Sequence, residues 1–401
     1  MSPLRNIAVF TGSRADYGLL YWTLKALKDH PLFNLALMVG GNHHLARWGN
    51  TVQQIRTDGF DISCVLQVDI SGESSLDTVL VTSETQRLSA LYFEQHRPDA
   101  VILLGDRYEA FAVATAAFLM RIPVIHLHGG EVTSGALDEG LRHAITKLST
   151  WHITAAEAYR NRVIQMGVQP DHVWNFGAPG LEYLDRMAPL SFQALSDSLE
   201  GWLKGPFLLV TYHPETTGNH SLQDQQALFN ALDERSDLQV LVTYPNADAE
   251  GGQLLDRLLS WARSQPERVR AVASLGQARY LSAMTLCEAV VGNSSSGIIE
   301  APSCQVPTVN IGSRQQGREM AASVICCSAE SQTIRHAIDQ ALSETFKVRC
   351  RDTSNPYDSG AFSSHFVNWL GKQSVEISGG PPFYDLPAFS AAMLTPGATN
   401  E

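Results

Sequence analysis

At 401 residues the chain exceeds the size at which one hydrophobic core keeps growing, so two domains are expected. With 44% apolar and 17% charged residues it has the composition of a soluble globular protein, and no stretch approaches the roughly 20 apolar residues of a membrane helix. Twenty-nine Lys and Arg against 41 Asp and Glu give a net charge of −12, which argues against general nucleic-acid binding and leaves anionic small ligands to local clusters of cations and amides.

The N-terminal MSPLRN lacks the apolar core of a secretory signal, so the expected compartment is the cytoplasm. Cys64, Cys287, Cys304, Cys326, Cys327 and Cys350 show no C-x-x-C or Cys/His spacing and fall mostly in apolar segments. They are expected as reduced core residues, with no metal site and no cofactor.

The first apolar run, IAVF (7–10), predicts a buried strand, and Gly12 opens a turn into a helix beginning near Tyr17. This turn has the place of a nucleotide-binding loop but no G-x-G-x-x-G; it carries Arg14 and Asp16 instead. LALMV (35–39), AVILLG (100–105), PVIHLH (123–128) and WHITA (151–155) continue the rhythm of a parallel sheet covered by helices, with a crossover helix over 109–120. LLGDRYEA (103–110) sets Asp106 and Arg107 between a buried strand and a helix, where Asp106 serves either as an N-cap or as a catalytic carboxylate. The next strand leads into HLHGGE, where His126, His128 and Glu131 surround Gly129 and Gly130. Glycines there allow close backbone approach beside groups able to move protons. The helix that follows carries Asp138 and Arg142 four residues apart, as a solvated ion pair or as part of the same site.

After a polar interval near 180–205 a second series begins: FLLVTYHP (207–214), LQVLVTYP (238–245), VRAVASL (269–275), EAVVGN (288–293) and PTVNIG (307–312). The chain is therefore read as α/β, with two Rossmann-like domains facing a central cleft: residues 1–185 and 186–358, a helix over about 360–373 packing back on the first, and a tail over 374–401 with little order. His213 ends the first strand of the second series, as a structural residue or as one facing the cleft. The amides and hydroxyls of Asn293, Ser294, Ser295 and Ser296 beside Gly297 form an anion cradle, and Glu300 suits ribose hydroxyls better than phosphate. Arg314 and Arg318 add positive charge, and Arg14 reads as a first-domain cation reaching a nucleotide held mainly by the second.

SRADYG, GDRYEA, HGGEVTSGALDEGLRHAITK, HPET, YPNADA, GNSSSGIIE and GSRQQGRE, in that order from residue 6 to about 360, resemble the hydrolysing UDP-N-acetylglucosamine 2-epimerases of sialic-acid-type sugar synthesis. The resemblance implies a GT-B-like architecture around a UDP-sugar and a homodimer or homotetramer; no carboxylate triad has ligand spacing, so no metal is expected. It also implies a reaction in which UDP is eliminated to leave a glycal and water then adds, releasing the C2-inverted free sugar. By motif match Asp106 and Asp138 fall on catalytic carboxylates, His213 on a histidine near the leaving diphosphate, Arg142 on a substrate arginine, and Ser294, Ser295 and Glu300 on the nucleotide-binding turn. At His128 the family pattern H-x-E-x-G has Glu, so Glu131 or His128 is expected to complete the acid/base set. That change also admits UDP-2,4-diacetamido-2,4,6-trideoxyglucose, on the route to legionaminic acid, beside UDP-N-acetylglucosamine as substrate. A GT-B glycosyltransferase with a UDP-sugar donor and a catalytically silent UDP-sugar-binding protein are the competing readings.

Overall fold

The structure, a computed structural model, describes residues 4–44, 51–68, 74–133, 137–214, 221–245, 251–374 and 382–386. Glu215 and Thr216 of HPET, Asn246 to Ala249 of YPNADA and Ser134 to Ala136 lie outside these residues. Chain contacts divide the protein into two units, residues 1–131, 140–179 and 361–401 in one, and residues 132–139 and 180–360 in the other.

The first unit is built on β1 (Arg5–Thr11), β2 (Phe33–Val39), β3 (Ile62–Val65), β4 (Ala100–Leu104), β5 (Val124–Leu127), β6 (Trp151–Thr154) and β7 (Val173–Asn175). They pair in parallel in the order β3-β2-β1-β4-β5-β6-β7. The connecting helices are α1 (Arg14–Asp29), α2 (Thr51–Thr57), α3 (Ser75–His96), α4 (Tyr108–Leu119), α5 (Leu137–Leu148) and α6 (Glu157–Gln165). Central strands such as AVILL are buried at every position, because helices cover both faces and the run is apolar without alternation. Helix α1 begins at Arg14, three residues before Tyr17. The Ser13 hydroxyl accepts from the Asp16 amide at 3.2 Å and the Asp16 carboxylate accepts from the Gly12 amide at 3.2 Å, a reciprocal cap that fixes the start.

In the second unit α7 (Glu182–Arg186) and α8 (Phe192–Asp197) precede the strands β8 (Phe207–Thr211), β9 (Gln239–Thr243), β10 (Val269–Val272), β11 (Ala289–Gly292), β12 (Thr308–Ile311) and β13 (Val324–Cys327). Their order is β10-β9-β8-β11-β12-β13, again all parallel. The helices are α9 (Ser221–Asp233), α10 (Gly251–Ser264), α11 (Gly276–Leu286), the single turn α12 (Ser296–Ile299), α13 (Ser331–Leu342) and α14 (Glu344–Arg351). In each sheet the strand order reverses beside the first strand, between β1 and β4 and between β8 and β11, and open parallel sheets bind ligands at such reversal points.

Helix α15 (Phe362–Lys372) returns to the first unit, where Phe362, Phe366, Trp369 and Leu370 share a core with Ile7, Val9 and Leu24. Arg5 secures its end by donating to the Leu370 and Gln373 carbonyls, each at 2.8 Å. Within the segment 374–401, expected to have little order, residues 382–386 dock on α6. The Tyr384 amide donates to the Gly167 carbonyl at 2.9 Å, and Tyr384 and Leu386 pack against Val163, Ile164, Val168 and Val173. Core placement holds for Cys287 and Cys350, while Cys64, Cys304 and Cys327 are half-buried. Cys326 is exposed, because β13 is an edge strand with one open side.

Candidate active site

Asp106 emerges where β4 ends. Gly105 turns the chain at φ 76°, and Arg107, not Asp106, occupies the cap position of α4 without a side-chain cap bond. Asp106 is thus released from the capping role its position suggests. Its Oδ2 accepts from Arg142 Nε at 2.9 Å and also from Arg142 Nη2. Arg142 Nη1 donates to the Glu131 carbonyl at 2.9 Å. The guanidinium is 1% exposed and Asp106 25% exposed, so one buried fork from α5 fixes both the turn after β4 and the loop after β5 while leaving Asp106 open on one side. The expected i,i+4 partner, Asp138, is an exposed residue in the first turn of α5. Arg142 therefore positions the turn after β4 and the loop after β5.

The loop after β5 is wound tightly. His128 sits at φ 64°, a left-handed conformation that a side chain adopts at a cost of about 1–2 kcal/mol, and Gly130 follows at φ 80°. A Cβ on Gly130 would lie 2.4 Å from the Tyr159 carbonyl oxygen, so only glycine fits against α6. His128 Nδ1 lies 2.6 Å from Glu131 Oε1, with both side chains nearly buried. A carboxylate can only accept, so Nδ1 carries the proton. His128 Nε2 is buried with no protein partner, a state that costs about 1–3 kcal/mol in a folded chain. His126, on the same strand, is used differently. Its Nε2 is 2.7 Å from the Gly105 carbonyl oxygen and burial pushes its pKa down to about 4, so it is a neutral strut joining β5 to the Asp106 turn.

Arg107 forks onto Glu109, Nε to Oε2 and Nη2 to Oε1 at 3.1 Å each, and Glu109 is 1% exposed. The Glu109 carboxylate raises the Arg107 pKa against the opposing effect of burial. Burial pushes the Asp16 carboxyl up to about 6, with Arg107 and Ser13 holding it back. Arg14, exposed in the first turn of α1, has its pKa lowered by partial desolvation. The turns after β1 and β4 therefore bring Asp16, Arg107 and Glu109 within electrostatic reach of one another.

In the second unit Gly292 ends β11 at φ 138°, where a Cβ would lie 1.9 Å from the Thr211 carbonyl oxygen. The following Asn293 is fully buried. Its Oδ1 accepts from the His213 amide at 2.7 Å, its Nδ2 donates to the His213 carbonyl at 2.9 Å, and its own carbonyl accepts from Arg314 Nη1 at 3.1 Å and Gln315 Nε2 at 2.8 Å. One asparagine thus joins the loops after β8, β11 and β12. Burial, then the charge of Arg314, pushes the His213 imidazole down to about 3, so it is neutral and offers an N–H rather than a positive charge. Ser294 and Ser296 hydroxyls lie 3.1 Å apart, and Tyr280 places its hydroxyl 2.6 Å from Ser296 Oγ. Gly297 packs against β12, where a Cβ would come within 2.9 Å of Thr308 Cγ2. Glu300 closes α12 as its C-cap. Because α12 has only four residues, its dipole is small, and the donors at this turn are the loop amides, the serine hydroxyls and Arg314.

A protein-family model described as UDP-N-acetylglucosamine 2-epimerase matches residues 25–371. The chain belongs to this epimerase family. It is 36% identical over 356 residues to the polysialic acid biosynthesis protein P7 of Escherichia coli, covering 88% of this chain and 90% of that one. It is 35% identical to the hydrolysing UDP-N,N'-diacetylbacillosamine 2-epimerase of Legionella pneumophila, over 92% of this chain and 96% of that one. Among solved structures, the UDP-GlcNAc 2-epimerase of Neisseria meningitidis bound to UDP-GlcNAc matches with a TM-score of 0.79 at 17% identity, over 92% of this chain and 100% of that one. The fold is accordingly GT-B-like, and the chain is an enzyme of the hydrolysing UDP-sugar 2-epimerase type.

The first unit thus brings together Asp106, Arg142, His128 and Glu131, and the second brings together His213, Asn293, Arg314 and the Ser294 to Gly297 turn. Asn293 as the hub of three loops was not legible, because a lone Asn in a Ser-rich turn gives no sign of buried partners far along the chain. The Glu109 partner of Arg107 was missed, although an acidic residue two positions on was the available signal. Among the described residues no group of three or more His, Cys, Asp or Glu could hold a metal ion.

Proposed function

We propose that this enzyme converts a UDP-2-acetamido sugar, UDP-N-acetylglucosamine or UDP-2,4-diacetamido-2,4,6-trideoxyglucose, into the C2-inverted free sugar and UDP for nonulosonic (sialic or legionaminic) acid synthesis in the cytoplasm. The observation that carries this reading is the network of Asp106, Arg142, His128 and Glu131 at the end of a parallel sheet. It is a set of groups for moving protons, whereas group transfer to an acceptor would not need one. The names of the relatives at 32 to 36% identity point the same way.

In this reading a base removes the C2 proton, the electron pair forms a C1–C2 double bond, and UDP departs with the C1–O bonding pair. Neutral His213, Arg314 and the Ser294 to Gly297 amides receive the diphosphate, Glu300 accepts from the ribose hydroxyls, and Arg14 adds charge. Water then adds at C1 while C2 regains a proton on the opposite face, with Asp106, Asp138 and the His128–Glu131 pair sharing the proton transfers. A homo-oligomer is part of the proposal. Helix α3 supports it, because Leu76, Val79, Leu80 and Leu91 are exposed apolar side chains, while its core-facing buried residues are Thr85, Ser89, Tyr92 and Phe93. Quantifying UDP and reducing sugar after incubation with each UDP-sugar tests the reaction. Stoichiometric release of both is expected, and a UDP-sugar epimerised but still intact would contradict it.

A further inference from the structure

We infer that His128, through Nε2, is the base that removes the C2 proton, and that Glu131 acts only through His128 as a positioning residue. The inference rests on the epimerase reading above. It follows from the loop geometry. Glu131 is 4% exposed on its side chain and spends Oε1 on His128 Nδ1 at 2.6 Å, while its own carbonyl is clamped by Arg142. With the proton held on Nδ1, the lone pair of the neutral ring lies at Nε2, the buried atom without a protein partner. The left-handed backbone at residue 128 is a second sign. A side chain kept at φ 64° between β5 and a Gly-Gly pair, where glycine would relax the turn, is retained for what the imidazole does. A carboxylate behind the imidazole then stabilises the imidazolium formed when Nε2 takes a proton.

The C2–H bond breaks and its electrons become the C1–C2 double bond, the C1–O bond breaks with its pair leaving on the UDP oxygen, and the proton passes to His128 Nε2. During hydration a second group gives a proton to C2 from the opposite face and regains one from the water that adds at C1. The proton on His128 leaves to solvent.

The left-handed backbone makes H128G the informative variant, because glycine adopts that conformation without strain and so offsets part of the cost of removing the buried ring. The expected results are a loss of about 10²–10⁴-fold in kcat with UDP affinity within about threefold of wild type, and partial recovery on adding free imidazole. E131Q should lower kcat with little change in KM. The double variant H128G/E131Q should be no slower than H128G, because the imidazole that Glu131 orients is already gone, and added imidazole should rescue it less, because no carboxylate holds the free ring. Near-wild-type turnover by H128G, or a further loss when E131Q is added to it, would overturn the inference. If wild type itself fails to release UDP and C2-inverted sugar, the epimerase reading fails instead.

Discussion

At the scale of single residues, the first unit depends on Arg142. Its guanidinium is buried and satisfies two acceptors that belong to different loops, so no other residue type reproduces its fork. R142M should cost about 3 kcal/mol of stability, the lower end for breaking a buried pair, because Asp106 retains some solvent. It should also lower kcat by more than tenfold. Urea unfolding and steady-state kinetics check both, and a variant that keeps wild-type stability and kcat would show that the clamp is incidental. The sequence showed Arg142 and Asp138 at helical spacing and suggested a local pair. Arg142 also donates to Asp106, 36 residues earlier, and no local pattern announces such a contact. Glu131 and His128 were legible as candidates from HLHGGE. Their division into base and orienter was not, because it depends on which nitrogen the carboxylate reaches.

At the scale of elements, the Ser294 to Gly297 turn, proposed to receive the nucleotide, depends on the close approach of β11 to β8. Gly292 permits it, with the position of a Cβ only 1.9 Å from the Thr211 carbonyl oxygen and φ at 138°. G292A should push the strands apart, destabilise the protein by about 3 kcal/mol or more, and weaken UDP binding by displacing Asn293 and Ser294. Calorimetric titration with UDP and thermal melting measure both effects, and wild-type affinity for UDP would contradict this placement. The central strands were legible because apolar runs such as AVILL and FLLVT are buried on both faces. The strands β3, β7 and β13 were not. Each lies at a sheet edge, is three or four residues long and keeps half-exposed positions, so its sequence (ISCV, VWN, VICC) carries no sustained apolar signal. The start of α1 was misplaced for a similar reason: a Ser13–Asp16 cap was present where a glycine fingerprint was sought.

At the scale of the whole molecule, buried histidines make stability depend on pH. Burial depresses His126 to about 4 and His213 to about 3, and lowers His152 well below its ordinary value. Each has a folded pKa below the unfolded value near 6.5, so each binds a proton in the unfolded chain before the native one, and stability falls as pH drops below about 6.5. Asp16, raised to about 6, works in the opposite direction by taking up a proton first in the native state. The three depressed histidines outweigh the opposing Asp16 carboxyl, so the net effect is a loss of stability as pH falls below about 6.5. Denaturant unfolding at pH 7, 6 and 5 should show this decline, and equal stability at pH 7 and pH 5 would contradict the neutral burial of these rings.

Elimination and hydration at C2 replace the hydrogen there with one from solvent, so isotope incorporation tests this chemistry most directly. The enzyme is incubated in deuterated water with UDP-N-acetylglucosamine and, separately, with the diacetamido-trideoxy analogue, and the products are followed by NMR. Free sugar that is inverted at C2 and carries deuterium there, formed together with UDP, is the predicted result. Sugar released with its original hydrogen and configuration at C2, or UDP-sugar recovered unchanged, would contradict it.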